Sequence, residues 1–305
     1  MRIISTRSAK DLALKVCEHL QEDLTDSGIL SFSDEEIAID IKSTVRRKDV
    51  YIIASTSTSQ DIVELLLLVN AAKGASAKSV NVVFAYYGYA RQDRKDQHRG
   101  AIGAKMIANC IESNGANHVT ILDIHANQVQ GFFNISSDLI YGYDFFSEKL
   151  KGIIDPENTV IVAPDLGASK RAAKFSKRLG DLPLVVIDKR RDKPNSISDM
   201  VILGDVKGKN CIIIDDMIDT AGTLCKAADH LLEQGALSVN ACITHPILSG
   251  PAIKRLNASK ITKLWISDSI KKDKLPNNAE VISCSSNIAR TINNHKNGIS
   301  IHIKV

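Results

Sequence analysis

Three carboxylates stand within five positions in the run Cys211-Ile212-Ile213-Ile214-Asp215-Asp216-Met217-Ile218-Asp219-Thr220-Ala221-Gly222-Thr223. An apolar strand runs straight into them, and small and hydroxylated residues then open a helix. In open α/β sheets, ligands sit beyond the carboxyl ends of strands. A helix N-terminus preceded by Thr and Gly offers unpaired backbone N–H groups to a phosphate. Asp215 and Asp216 can accept hydrogen bonds from vicinal hydroxyls, or hold a hard cation through water. Together these features suit a sugar phosphate with adjacent hydroxyls. The bland alternative is a solvated acidic turn with an ordinary Thr cap.

Four other stretches carry chemistry of their own. Ala163-Pro164-Asp165-Leu166-Gly167-Ala168-Ser169 is a second acidic strand end, although an Asp cap before a helix needs no ligand. In Leu122-Asp123-Ile124-His125-Ala126 a His and a carboxylate close a strand, a pairing able to bind Mg²⁺ directly or through water. A lone His there is more often a structural hydrogen-bonder. Tyr89-Ala90-Arg91-Gln92-Asp93-Arg94 offers a guanidinium fork for phosphate oxygens and an amide for a base or ribose edge. Alone it reads more readily as a charged, solvated turn. Ile187-Asp188-Lys189-Arg190-Arg191-Asp192-Lys193-Pro194 is a dense basic stretch able to close over a polyphosphate. Such stretches are usually solvated faces. No G-x-x-x-x-G-K-(S/T) occurs, and Gly204-Asp205-Val206-Lys207-Gly208-Lys209 fails its spacing, which argues against a P-loop kinase.

The elements that must position these residues alternate almost throughout. Strands are predicted at 50–54, 80–85, 119–123, 159–163, 184–187, 211–214, 239–244 and 263–266, and helices at 9–20, 61–73, 102–114, 169–179, 222–234 and 251–256. Near-continuous apolar strands between amphipathic helices indicate mainly parallel sheets flanked by helices. The fold class is therefore α/β, in two domains, 1–143 and 144–305, with the last strand able to pack on the first domain. Both halves carry a Gly-Ala helix exit, Asn114-Gly115-Ala116 and Gln234-Gly235-Ala236, which indicates related domains unless helices simply end in Gly for their own reasons.

Composition narrows the class. The chain has 305 residues, 44% hydrophobic and 24% charged, enough to bury full cores and to exclude global disorder. A formal charge of +4 is no warrant for nucleic-acid binding, which needs a clustered basic face. The leucine run at 65–68 sits among Glu64, Asn70 and Lys73 and cannot span a bilayer, and the N-terminus lacks an apolar leader. Six scattered cysteines without a C-x-x-C pair fit reduced thiols in a cytoplasmic protein.

The 211–223 run resembles the ribose-phosphate loop of the phosphoribosyltransferase fold, and with its neighbours it is similar to the ribose-phosphate diphosphokinases, the phosphoribosyl pyrophosphate (PRPP) synthetases. The likeness extends over nearly the whole chain. It implies two phosphoribosyltransferase-like domains and transfer of a diphosphoryl group from ATP to ribose 5-phosphate, giving PRPP and AMP for nucleotide biosynthesis. It implies Lys189 and Arg191 as catalytic groups on a mobile loop. Phe32, Asp34, Glu36, Arg91, Gln92 and His125 would bind ATP, with the stretch around Phe32 holding adenine in a neighbouring subunit's site. Asp215, Asp216, Asp219, Thr220, Ala221, Gly222 and Thr223 would bind ribose 5-phosphate, and His125 and Asp165 would bind Mg²⁺. The shared site implies an oligomer and the resemblance a homohexamer built from dimers, with no membrane or nucleic-acid partner. The chain departs from the family pattern at Glu35 and Arg47, where Gly is usual, and at Pro246. A non-catalytic associated regulatory subunit and a base phosphoribosyltransferase remain the rival readings.

Overall fold

The computed structural model describes residues 1–95, 97–190 and 199–301. Two compact units emerge, one made of Met1–Ile140 with Ser269–Lys271 and the chain from Cys284, the other of Tyr141–Asp268 with Lys272–Ser283. The chain returns to the first unit at Cys284; the expected division, 1–143 and 144–305, allowed such a return for its last strand alone.

In the first unit the elements are β1 (Arg2–Ser5), α1 (Lys10–Leu20), β2 (Leu30–Ser31), β3 (Ile37–Ala38), β4 (Asp49–Ser55), α2 (Ser59–Gly74), β5 (Ser79–Tyr86), α3 (Gly103–Ser113), β6 (His118–Leu122) and β7 (Ser136–Ile140). Its sheet has the order β1-β4-β5-β6-β7 and is parallel throughout, while β2 and β3 form a separate antiparallel hairpin. The strands are Val- and Ile-rich and buried on both faces, as a helix-covered parallel sheet requires. A capping box between Thr58 and Asp61 starts α2.

The second unit holds α4 (Gly142–Leu150), β8 (Thr159–Ala163), α5 (Ser169–Arg178), β9 (Leu184–Arg190), β10 (Asp199–Leu203), β11 (Asn210–Ile218), α6 (Gly222–Glu233), β12 (Ser238–Pro246), α7 (Ala252–Ala258), β13 (Lys263–Ser267) and β14 (Ala279–Ile282). The last helix, α8 (Ser285–Lys296), belongs to the first unit. There His19 on α1 meets Ser285 across 3.2 Å. The second sheet runs β10-β9-β8-β11-β12-β13-β14, with β10 its antiparallel member. Its core includes Val160, Val162, Ile213, Leu231, Ala241 and Leu264.

The two units share an order: a strand, a helix, an antiparallel pair, then four more parallel strands. The Gly-Ala exits are not the sign of this kinship. They close α3 and α6, which occupy different places in that order, with Gly115 at φ 109° and Gly235 at φ 92°. Each is a helix end using the left-handed freedom of Gly.

One topological difference matters for the site. From β8 the chain builds β9 and β10 on one side, then crosses to lay β11 on the other side of β8. The winding reverses between β8 and β11, which is where such sheets open a crevice beyond their carboxyl ends.

Candidate active site

Asp165 lies just past β8, Asp215 and Asp216 lie near the end of β11, and Asp219 follows directly after it. The β8–β11 register pairs Asn210 with Thr159 and Ile213 with Val162, so the same offset carried onward sets Asp216 abreast of Asp165. The fold therefore gathers three of the acids at the reversal. From the first turns of α5, Arg171 places Nη1 3.3 Å from Asp216 Oδ1 and 3.5 Å from Asp215 Oδ1. Burial, followed by the charge of Asp216, pushes the Asp215 carboxyl well above the usual carboxylate range, and Asp165 adds to the push while Arg171 opposes it. Two carboxylates thus share one guanidinium, with the charge of Asp165 close by. Asp165 also accepts the Ala168 N–H at 3.0 Å, so its local capping role is real.

The loop beyond β11 is shaped for an anion. Ala221 is left-handed, at φ 63° and ψ 0°, and no side chain caps the start of α6. The first N–H groups of that helix consequently open on the same turn as exposed Thr220 and Thr223. Neighbouring chain holds the turn in place. Leu248 and Ser249 donate their N–H groups to the Ile218 and Asp219 carbonyls at 3.1 Å each. The Ser249 hydroxyl donates to the Asp219 carboxylate. Arg255 on α7 donates from Nη1 to the Thr220 carbonyl at 2.9 Å.

Lys189 lies on β9, its backbone paired with Met200 of β10, whereas Arg191 lies outside the described residues.

In the first unit the loops after β5 and β6 meet. Gln128 donates to Asp93 at 2.9 Å, which joins the Arg91-Gln92-Asp93 turn to the loop carrying His125. Arg91, Gln92 and His125 are exposed. The Gln92 carbonyl accepts the Ala104 N–H at 3.2 Å, and its side-chain Oε1 lies so close to Gly103 that a Cβ there would come within 2.6 Å. Phe32, Asp34 and Glu36 stand apart on the turn of the β2–β3 hairpin. Phe32 is 54% exposed, and Asp34 Oδ1 accepts the Glu36 N–H at 3.2 Å.

Arg171, Ser249 and Arg255 were not singled out from the sequence. Arg171 sits one turn into the helix that Asp165 precedes, so its position was a usable signal. Ser249 and Arg255 reach the loop only through the sheet. Among the described residues, no three His, Cys, Asp or Glu side chains form a ready metal cage. No helix there is long and apolar enough to cross a membrane.

Residues 1–115 match the model for the N-terminal domain of ribose phosphate pyrophosphokinase, and residues 142–272 match the phosphoribosyl transferase domain. The chain is 44% identical over 307 residues to the ribose-phosphate pyrophosphokinase of Thermosipho africanus, covering 99% of this chain and 96% of that protein. It is 46% identical over 273 residues to the one from Bacillus subtilis, covering 89% and 86%. The crystal structure of phosphoribosylpyrophosphate synthetase from Mycobacterium smegmatis superposes with a TM-score of 0.91 at 31% identity, covering 97% of this chain and 99% of that one.

Proposed function

Because the chain belongs to the ribose-phosphate pyrophosphokinase family, we propose that the crevice where the second sheet reverses is its ribose 5-phosphate site. The enzyme transfers the β,γ-diphosphoryl group of ATP to the C1 hydroxyl of ribose 5-phosphate, releasing AMP. The observation that carries the site reading is the pairing of Asp215 and Asp216 with an uncapped, left-handed entry to α6.

The open amides and hydroxyls from Asp219 to Thr223 hold the 5-phosphate, and Asp215 and Asp216 accept hydrogen bonds from the ribose hydroxyls. The C1 hydroxyl then attacks the β-phosphorus in line with departing AMP. Such a transfer needs positioning and charge neutralisation more than covalent chemistry. Arg91, Gln92 and His125 bind ATP, while Lys189 and Arg191 neutralise charge developing on the transferring group. Phe32 stacks on adenine, and Asp34 and Glu36 accept from its exocyclic amine.

The donor set suits Mg²⁺. Asp165, Asp215 and Asp216 offer hard oxygens with more negative charge than Arg171 offsets, and this ion binds through one or two carboxylates plus substrate phosphates rather than a full cage. Asp165 would hold it in this crevice, His125 is the ligand proposed in the first unit, and when bound the ion draws charge from phosphate oxygens. The hairpin reading makes the enzyme a homo-oligomer whose sites are shared between subunits, and the family resemblance makes that oligomer a hexamer built from dimers. Six free cysteines fit a reducing cytoplasm.

AMP release from ATP, followed with Mg²⁺ and phosphate present, tests the reading. The expected result is ribose 5-phosphate-dependent AMP without matching ADP. ADP instead would mean transfer of a single phosphoryl group. No turnover at any phosphate concentration would point to a non-catalytic partner.

A further inference from the structure

Glu64 is a buried carboxylate that the reaction does not use. It lies in the second turn of α2, only 2% exposed, and faces Arg7 from the turn after β1. Arg7 satisfies it twice, donating its backbone N–H to Oε1 at 2.6 Å and its Nε to Oε2 at 2.7 Å. Both bonds are charge-assisted, and the second pairs a buried carboxylate with an arginine side chain that is 44% exposed. Arg7 is thereby fixed at two points, and α2 is itself anchored by the Thr58–Asp61 capping box.

The rest of the guanidinium points elsewhere. Arg7 Nη1 donates to Ser31 Oγ at 2.8 Å. Ser31 is the residue before Phe32, on a hairpin whose two strands are two residues long each and whose turn is exposed. A hairpin of that size has no independent stability in water. Its remaining hydrogen bonds between Leu30 and Ala38 are internal: Phe32 to Glu36, Glu35 to Phe32, and Glu36 to Asp34. Among the described residues, the Arg7–Ser31 bond is the one hydrogen bond that ties this segment to the body of its unit.

We propose that Arg7 is a positioning residue for nucleotide recognition: clamped by buried Glu64, it holds Ser31 and so sets where Phe32, Asp34 and Glu36 stand. This rests on the reading of the hairpin as an ATP contact. Arg7 touches no substrate and acts through the hairpin alone. Ordering the hairpin in advance removes part of the entropy that ATP binding would otherwise cost.

Initial-rate kinetics with each substrate varied in turn test it, using Ser31→Ala as the main variant because Arg7→Gln would also strand Glu64. Ser31→Ala is expected to raise KM for ATP about five-fold, the effect of one charge-assisted hydrogen bond in a partly exposed place. KM for ribose 5-phosphate and the melting temperature stay put, while amides 31–37 exchange faster with deuterium. Ser31→Thr, which keeps the hydroxyl, restores the wild-type KM. Phe32→Ala is the reference. If it raises KM for ATP while Ser31→Ala does not, the tether is overturned and the hairpin reading stands. If neither moves it, the hairpin is no nucleotide contact and the proposal falls with that reading.

Discussion

Arg171 reaches from α5 to Asp216 across 3.3 Å, and the carboxylate it meets is almost fully enclosed, 5% exposed against 14% for the arginine side chain. The pair lies under the acidic crevice rather than on its rim. Removing the arginine strands a buried charge, which typically costs about 3 kcal/mol. Arg171→Met is therefore expected to lower the urea midpoint sharply, and Arg171→Met/Asp216→Asn to recover much of the loss. Urea titrations of the wild type, both single variants and the double variant close this cycle. Additive losses would mean that the two residues do not interact energetically.

The legible part of this fold was the part written in local pattern. Strand 159–163 reads as a Val- and Ile-rich run and 263–266 as a short apolar one, and they lie at Thr159–Ala163 and Lys263–Ser267, because a strand buried on both faces leaves its composition in the sequence. Helix α8 was not legible. Ser285-Ser286-Asn287 and Asn293-Asn294 are weak helix formers, and Ile288, Ala289 and Ile292 show their purpose only once α1 lies against them. The antiparallel pair β9–β10, and hence the reversal beside β8, is a non-local choice that no short window carries. Likewise the acids at 215–219 announced themselves, whereas Arg255 reached them through a strand, a turn and another helix.

The two departures at glycine positions have a backbone meaning. Glu35 sits at φ 70° and Arg47 at φ 56°, so the left-handed turn survives without the residue best suited to it. An L-residue there is strained by roughly 1–2 kcal/mol, and glycine returns about 0.5–1 kcal/mol of that through its looser unfolded chain. Arg47→Gly should therefore gain up to about 1 kcal/mol, read as a rise in melting temperature. A fall would show that the Arg47 side chain makes contacts worth more than the strain.

Arg255 holds the loop proposed to take the 5-phosphate by a single carbonyl. Its Nη1 donates to Thr220 at 2.9 Å, and a Cβ built on Gly222 would lie 3.4 Å from the same nitrogen. Without it, Thr220 and left-handed Ala221 lose a restraint that Ser249, bonded to Asp219, does not supply. Arg255→Met is expected to raise KM for ribose 5-phosphate about five-fold, with KM for ATP unchanged. Equal rises in both constants would indicate general loosening rather than an effect on this loop.

Acid should weaken the first unit through a histidine on α8. His295 stacks on His118 with ring centroids 4.2 Å apart, and Tyr51 Oη lies 2.9 Å from its Nδ1. Burial first, then the neighbouring His118, lowers its pKa from 6.5, against the pull of Asp138 and Asp49. The folded state therefore resists a proton that the unfolded state takes up. Between the folded pKa and about 6.5 the unfolded chain binds more protons, so stability rises with pH across that window. The contribution is complete above it and is lost as pH falls through it. His295→Gln keeps a polar partner for Tyr51 but does not titrate. Urea midpoints from pH 7.5 down to about 5 should fall more steeply for the wild type than for His295→Gln, since only the wild type carries this linkage. Parallel curves would place the acid sensitivity on other groups and leave the stacked pair a matter of packing alone.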